Sequence, residues 1–199
     1  MTKLQMSPKI TSILEVFVDG LKDLYSAETQ IVKALPKLAK AAASADLKNG
    51  FTLHLKQTKE HVARIKEICA ALQEKPTGKT CQATAGLVKE GQEAIEEDAL
   101  PEMKDLMLIA AARRVEHYEI SGYTSACDLA KALGLTAAFK TLSNTLSEES
   151  ATDAKLAKAS IPAVAKAKAT EKPEANNDKA GSGKKARKTI RKIVKKITG

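Results

Sequence analysis

The stretch RRVEHYEISGY, Arg113 to Tyr123, puts two acidic residues three apart inside an alanine- and leucine-rich run. In a helix, residues three apart share a face one turn from each other. The flanking apolar residues decide whether that face is wet or buried. The alternation Ile109, Ala112, Glu116, Glu119, Tyr123, Ala126, Ala130, Leu133 passes through both glutamates without a break. Both therefore stand on the stripe that packs against neighbouring helices, where a lone carboxylate costs several kcal/mol.

The same alternation defines three further helices. The first is expected from Pro8 to Ala43, with the stripe Leu14, Phe17, Leu21, Leu24, Glu28, Ile31, Leu35, Leu38. Pro36 in this helix removes one backbone bond, but the apolar period continues past it. The second, about Leu47 to Gln73, carries Phe51, His54 or Leu55, Thr58, His61 or Val62, Ile65, and Ile68 or Cys69. The Arg113 stretch belongs to the third, Pro101 to Leu133, closed by Gly134 as a C′ glycine. The fourth, Thr136 to Ser160, carries Phe139, Leu142, Leu146, Glu149, Asp153, Leu156, and either Glu148 or Glu149 can face inward.

Short joins at 44–46 and 134–135 make two helical hairpins. The longer piece Thr77–Leu100, itself partly helical, can cross from one end of a bundle to the other. The fold expected is all-α, an antiparallel four-helix bundle of ferritin-like type over residues 1–160. Aromatics are 3% and tryptophan is absent, in keeping with helix on helix rather than sheets.

Charge divides the chain again. Residues 1–160 hold 21 basic and 21 acidic side chains, residues 161–199 hold 12 and 3, so the net +9 belongs to the tail. The basic balance is thus no argument for a nucleic-acid-binding bundle. Residues 161–183 read as a flexible Ala/Lys/Pro/Gly linker and 184–199 as a basic amphipathic tail. In the tail, Lys184, Lys185, Arg187, Lys188, Arg191, Lys192, Lys195 and Lys196 would contact nucleic acid without sequence preference or, less favourably, a membrane surface. Cys69, Cys81 and Cys127 show no paired spacing and no disulfide framework; Cys81, in a breaker-rich loop, is the one open to reaction. The start lacks an apolar leader and no run is long enough to span a bilayer. A cytoplasmic location is expected.

Five carboxylates, Glu28, Glu116, Glu119, Glu149 and Asp153, thus fall on buried stripes. Folding the second hairpin about its turn sets Glu116 opposite Asp153, and Glu119 opposite Ser150 beside Glu149. Folding the first sets Glu28 beside His61. Each polar level lies about 17 residues from its turn, or about 25 Å along the bundle at 1.5 Å per residue. Acidic groups and imidazole gathered at one depth suit two divalent cations, iron first and manganese second. The expected ligands are Glu28, His61, Glu116, Glu119, Glu149 and Asp153. Gln57, Glu60, His54, Tyr25 and Tyr123 are candidates for bonding to those ligands. His54, about two turns away, is more simply a satisfied core histidine.

The segments DLYSAETQIVKALPKL, HLKQTKEHVARIKEI, GLVKEG, VEHYEISGY and TLSEESATDAKL resemble the YciE/YciF family of bacterial stress proteins, within the ferritin-like superfamily. The resemblance covers about residues 10 to 160. It implies a ferritin-like bundle, a di-metal centre and a homodimer. Glu28, Glu116, Glu119 and Glu149 match the ligand positions of ferritin-like helices. The chain departs from the pattern at Gln57, where relatives commonly have glutamate, and at Thr152, where ferritin-like enzymes have histidine. The activity expected is that of a di-metal oxidoreductase, ferroxidase- or peroxidase-like, oxidising ferrous iron with dioxygen or peroxide. The rival is a non-catalytic helical dimer with a buried polar network, whose tail carries the interaction.

Overall fold

A computed structural model describes residues 10–170. Among them there are five helices and no strand: α1 (Ile13–Ala41), α2 (Ala45–Ala71), α3 (Gln82–Glu96), α4 (Pro101–Ala132) and α5 (Thr136–Thr170). The tail residues 184–199, with their eight candidate contact residues, lie outside the described part.

α1 starts later than Pro8 because Ser12 and Glu15 form a capping box. The Ser12 hydroxyl accepts from Glu15 N, and the Glu15 carboxylate accepts from Ser12 N at 2.9 Å. Pro36 is exposed on an unbroken α1, so its missing N–H costs one bond and nothing in packing. α5 runs ten residues past its expected end, and the compact unit reaches Ala167. Pro162 sits inside α5 with its ring exposed, and its alanine and lysine neighbours are strong helix formers. The expected linker therefore does not start at 161.

The four long helices form a square. α1 touches α2 and α4, while α5 is tied to α2 through Arg64–Glu148 and to α4 through Arg113–Asp153. One core end joins Phe17, Leu21 and Leu24 to Ala126, Cys127 and Ala130. The other joins Ile31 and Leu35 to Leu108, Ile109 and Ala112. Rising numbers in α1 thus meet falling numbers in α4, and the two run antiparallel. α2 and α4 are then parallel, which a short loop cannot connect. The crossover supplies the return: α3 packs on α1 and α4, and Lys104 donates to the α3 carbonyls of Ala94 and Ile95 at 3.1 and 2.8 Å. This is the ferritin-like arrangement.

Asp105 stitches one end together. Its buried carboxylate accepts from Ala43 N at 2.7 Å and Ser44 N at 2.9 Å. It thus serves the start of α2, where the N-cap Ser44 makes no side-chain bond of its own.

The apolar stripes hold in mid-helix and slip elsewhere. Leu14 and Phe139 are 44% and 37% exposed rather than buried. A real helix drifts about 20° per heptad from a 3.5 repeat, so a stripe traced by strict alternation walks off the core near the ends. In α5 the buried positions are Leu142, Thr145, Glu149, Thr152, Leu156 and Ala167, in place of a stripe through Leu146 and Asp153.

Candidate metal centre

Halfway along the bundle each long helix turns polar side chains inward. Glu28 from α1 lies between Leu24 and Ile31 on the buried face. His54 and His61 lie seven residues, or two turns, apart on α2. Glu116 and Glu119 come one turn apart from α4, and Glu149 from α5. All six are at most 3% exposed.

Two groups of ligand atoms overlap. Glu28, His61 and Glu149 form one, and His54, Glu116, Glu119 and Glu149 the other, with the donor atoms of each group within 4.8 Å of one another. Glu149 belongs to both. His61 Nδ1 lies 2.9 Å from Glu149 Oε1 and 3.3 Å from Glu28 Oε1. His54 Nε2 lies 3.3 Å from Glu116 Oε1 and 3.8 Å from Glu149 Oε2. Eight buried atoms here have no hydrogen-bond partner: Glu28 Oε2, His54 Nε2, His61 Nδ1, Glu116 Oε2, and both oxygens of Glu119 and of Glu149. Buried polar atoms are ordinarily paired, and this many orphans facing one another are what bound cations would satisfy. The donors are carboxylate oxygen and imidazole nitrogen with no thiolate, a set suited to iron or manganese.

A scaffold outside the cluster aims the ligands. With its proton on Nε2, His61 donates to Glu148 Oε2 at 2.7 Å, which leaves the Nδ1 lone pair facing the centre. Arg64 holds Glu148 with two bonds of 2.7 and 3.1 Å, and its Nη1 also donates to Thr145 at 3.0 Å. A carboxylate fixing the far nitrogen of a ligating imidazole is the usual support in metal proteins. Tyr123 donates to Glu28 Oε1. Thr152 lies across from His54 Nδ1, its Oγ1 3.5 Å away.

Electrostatics reflect the crowding. Burial pushes Glu116 up to about 7 against the pull of His54. Burial, then the neighbouring Glu28 and Glu149, holds Glu119 well above the ordinary carboxyl range. Glu28 is raised by burial against the pull of His61. Burial alone would lower His61, yet the Glu149 and Glu28 carboxylates beside it push it up to about 10. Without cations, the cluster is neutral enough to stay buried only by holding protons.

Asp153 does not join this group. Its carboxylate takes two bonds from Arg113, at 2.7 and 3.2 Å, beside the exposed His117, and that pairing lowers its pKa. Four residues after Glu149 on a helix, it is rotated far enough to meet solvent-side cations. Glu60 is also turned outward, 3.7 Å from Arg64, and Tyr25 lies under Lys66. Gln57 is half-buried. His54, read from spacing as a core histidine, is instead part of the cluster, because the site extends along the bundle axis over about two turns. Cys81 is not a free loop thiol: it is buried at the α3 N-cap, 2.8 Å from Tyr118 Oη. The sequence reading also passed over Arg64 and took Glu148 only as an alternative inward glutamate. The adjacent acids at 148 and 149 were the available signal for one residue in the centre and one behind it.

The fold and the buried cluster together define a ferritin-like four-helix protein with a carboxylate–histidine group able to hold metal. Residues 12–170 match the family described as Domain of unknown function (DUF892), and the chain belongs to that family. It is 42% identical to Protein YciF of Escherichia coli over 146 residues, covering 73% of this chain and 88% of that one. The crystal structure of the E. coli stress protein YciF superposes with a TM-score of 0.77 at 41% identity, covering 79% of this chain and 99% of that one. YcfI from Rhodopseudomonas palustris superposes with a TM-score of 0.73 at 38% identity, covering 76% and 96%.

Proposed function

We propose that the cluster is a two-cation centre, iron first and manganese second, and that the protein oxidises ferrous iron with dioxygen or peroxide. Glu28, His61 and Glu149 would hold one ion; His54, Glu116 and Glu119, with the second oxygen of Glu149, would hold the other. The single observation behind this is the set of eight unpartnered buried atoms shared between two groups that meet at Glu149. Nearby half-buried carboxylates are neutralised from within, Glu148 by Arg64 and Asp153 by Arg113, and buried Asp105 is satisfied by two backbone amides. No arginine or lysine enters the centre, which weighs against a self-contained polar network.

Held there as a ferrous pair, the ions would supply two electrons, one from each. The chain's own contribution is a rigid, dry ligand set that tolerates the change in charge. Glu148 and Arg64 keep His61 oriented, and Tyr123 keeps Glu28 oriented.

The test is a metal count on protein purified without chelator, followed by oxygen uptake after ferrous iron is added. About two ions per chain with prompt uptake is expected for a two-metal site. Metal near zero with no uptake would favour the rival, a non-catalytic dimer. We further propose a cytoplasmic homodimer whose basic tail binds nucleic acid through phosphates. Deleting residues 181–199 should abolish salt-sensitive retardation of DNA in a gel, and unchanged retardation would exclude the tail.

A further inference from the structure

A cavity of about 250 Å³ opens between α2 and α5 and ends at the proposed centre. Its apolar walls include Gly50, Phe51, Leu53 and Leu156, and His54 and Glu116 belong to the same lining. Phe51 and Leu156 are buried, whereas Leu53 is 51% exposed and marks the outer end. The cleft is open to solvent at one end and reaches two residues of the cluster, His54 and Glu116, at the other.

Gly50 sharpens the point. Glycine weakens a helix interior by about 1 kcal/mol relative to alanine, and it is spared where a close neighbour forbids a side chain. Here a Cβ would meet nothing within 4 Å. Gly50 is exposed in the lining of the cleft, so a larger side chain there has space to enter it.

The size and lining select the occupant. A 150 Å³ apolar cavity takes up benzene, and a water occupies roughly 30 Å³ of liquid, so about 250 Å³ suits an aryl- or short alkyl-sized body. Dioxygen and hydrogen peroxide need far less room, and the exposed Asp46 and Lys155 leave most of the lining to carbon. A molecule with an apolar body and a reducible end, pointing at an electron source, is an organic hydroperoxide. We propose that this cleft binds small organic hydroperoxides and presents the O–O bond to the centre; the redox half of the proposal rests on the metal reading above. Reduction of ROOH to ROH and water breaks the O–O bond and consumes two electrons and two protons. Two ferrous ions, each becoming ferric, supply the electrons, and solvent supplies the protons.

Binding is tested on the metal-free full chain with 2-phenyl-2-propanol, the redox-inert alcohol left by cumene hydroperoxide. Saturable NMR shifts at the Gly50 and Leu53 amides are expected, lost in Gly50→Leu and weakened in Leu53→Glu, whose exposed position is compatible with folding. Absence of shifts at the cleft would overturn the proposal. On iron-loaded protein, Gly50→Leu should lower the ratio of cumene hydroperoxide to hydrogen peroxide rates by about tenfold; an unchanged ratio counts against it. A chain that binds no iron but shows the NMR shifts would sink the redox reading and leave the cleft standing.

Discussion

His54 and His61, two turns apart on α2, face different oxygens of one carboxylate: His61 Nδ1 is 2.9 Å from Glu149 Oε1, and His54 Nε2 is 3.8 Å from Glu149 Oε2. Glu149 is therefore common to both halves of the cluster, and the other glutamates are not. Glu149→Gln should empty both cation positions, while Glu28→Gln and Glu119→Gln each empty about one. Metal-to-protein ratios by mass spectrometry separate the cases. Equal losses in all three variants would contradict a shared ligand.

Glu119 has no partner for either oxygen, and burial and its acidic neighbours all oppose its ionisation. Glu119→Gln removes the charge and keeps the shape. The metal-free variant at pH 8 should be more stable than the parent by about 1–3 kcal/mol, read from urea unfolding.

The metal-free protein should lose stability as pH rises. Glu116 titrates at about 7 when folded and near 4.5 otherwise. Between those values the folded chain keeps a proton that the unfolded chain has released, so stability falls through that window. His61 acts in the same direction: its contribution is complete below 6.5 and is lost as pH climbs through about 10. Calorimetry on chelator-treated protein should show Tm declining from about pH 5 to about pH 9. Added manganese(II) displaces protons, so the Tm gain it gives should grow over the same range.

Glu148 fixes the far nitrogen of His61 and is itself fixed by Arg64. Glu148→Gln should weaken cation affinity by about 10–100-fold. Competition against a chelating dye measures this, and a loss confined to one of two sites is the expected pattern. An undiminished affinity would remove Glu148 from the scaffold.

Asp105 is a fold device far from the centre. Asp105→Ala strands the amides of Ala43 and Ser44 and should cost about 2–4 kcal/mol. Metal content per folded chain should not change, and Asp105→Asn, which keeps one acceptor, should lose less.

Much of this was legible in the sequence because α4 obeys its period. Glu116, Glu119 and Tyr123 lie on the stripe where alternation puts them, and they are buried there. Glu28 and His61 met at one level because hairpin register is simple arithmetic. α5 was harder. Thr145 and Thr152 are buried, but a strict 4-3 alternation from Leu142 steps to Leu146, Glu149 and Asp153 and passes over both threonines. The threonines face Arg64 and His54, so tertiary hydrogen bonds override the local preference. His54 falls outside the expected ligand set because that set is drawn at a single level, whereas the cluster extends over about two turns of α2. Asp105 gives no signal at all, since its partners are backbone amides 61 and 62 residues away.

The return helix that makes α2 and α4 parallel also fixes when the acidic cluster comes into being. The leading hairpin brings two imidazoles and a single glutamate; the trailing hairpin brings three glutamates and no base. Neither half alone assembles the cluster: the trailing hairpin's glutamates already crowd one another, and Glu28 joins them only when the halves close. Under the two-cation reading, that closing step is the one that bound cations would favour.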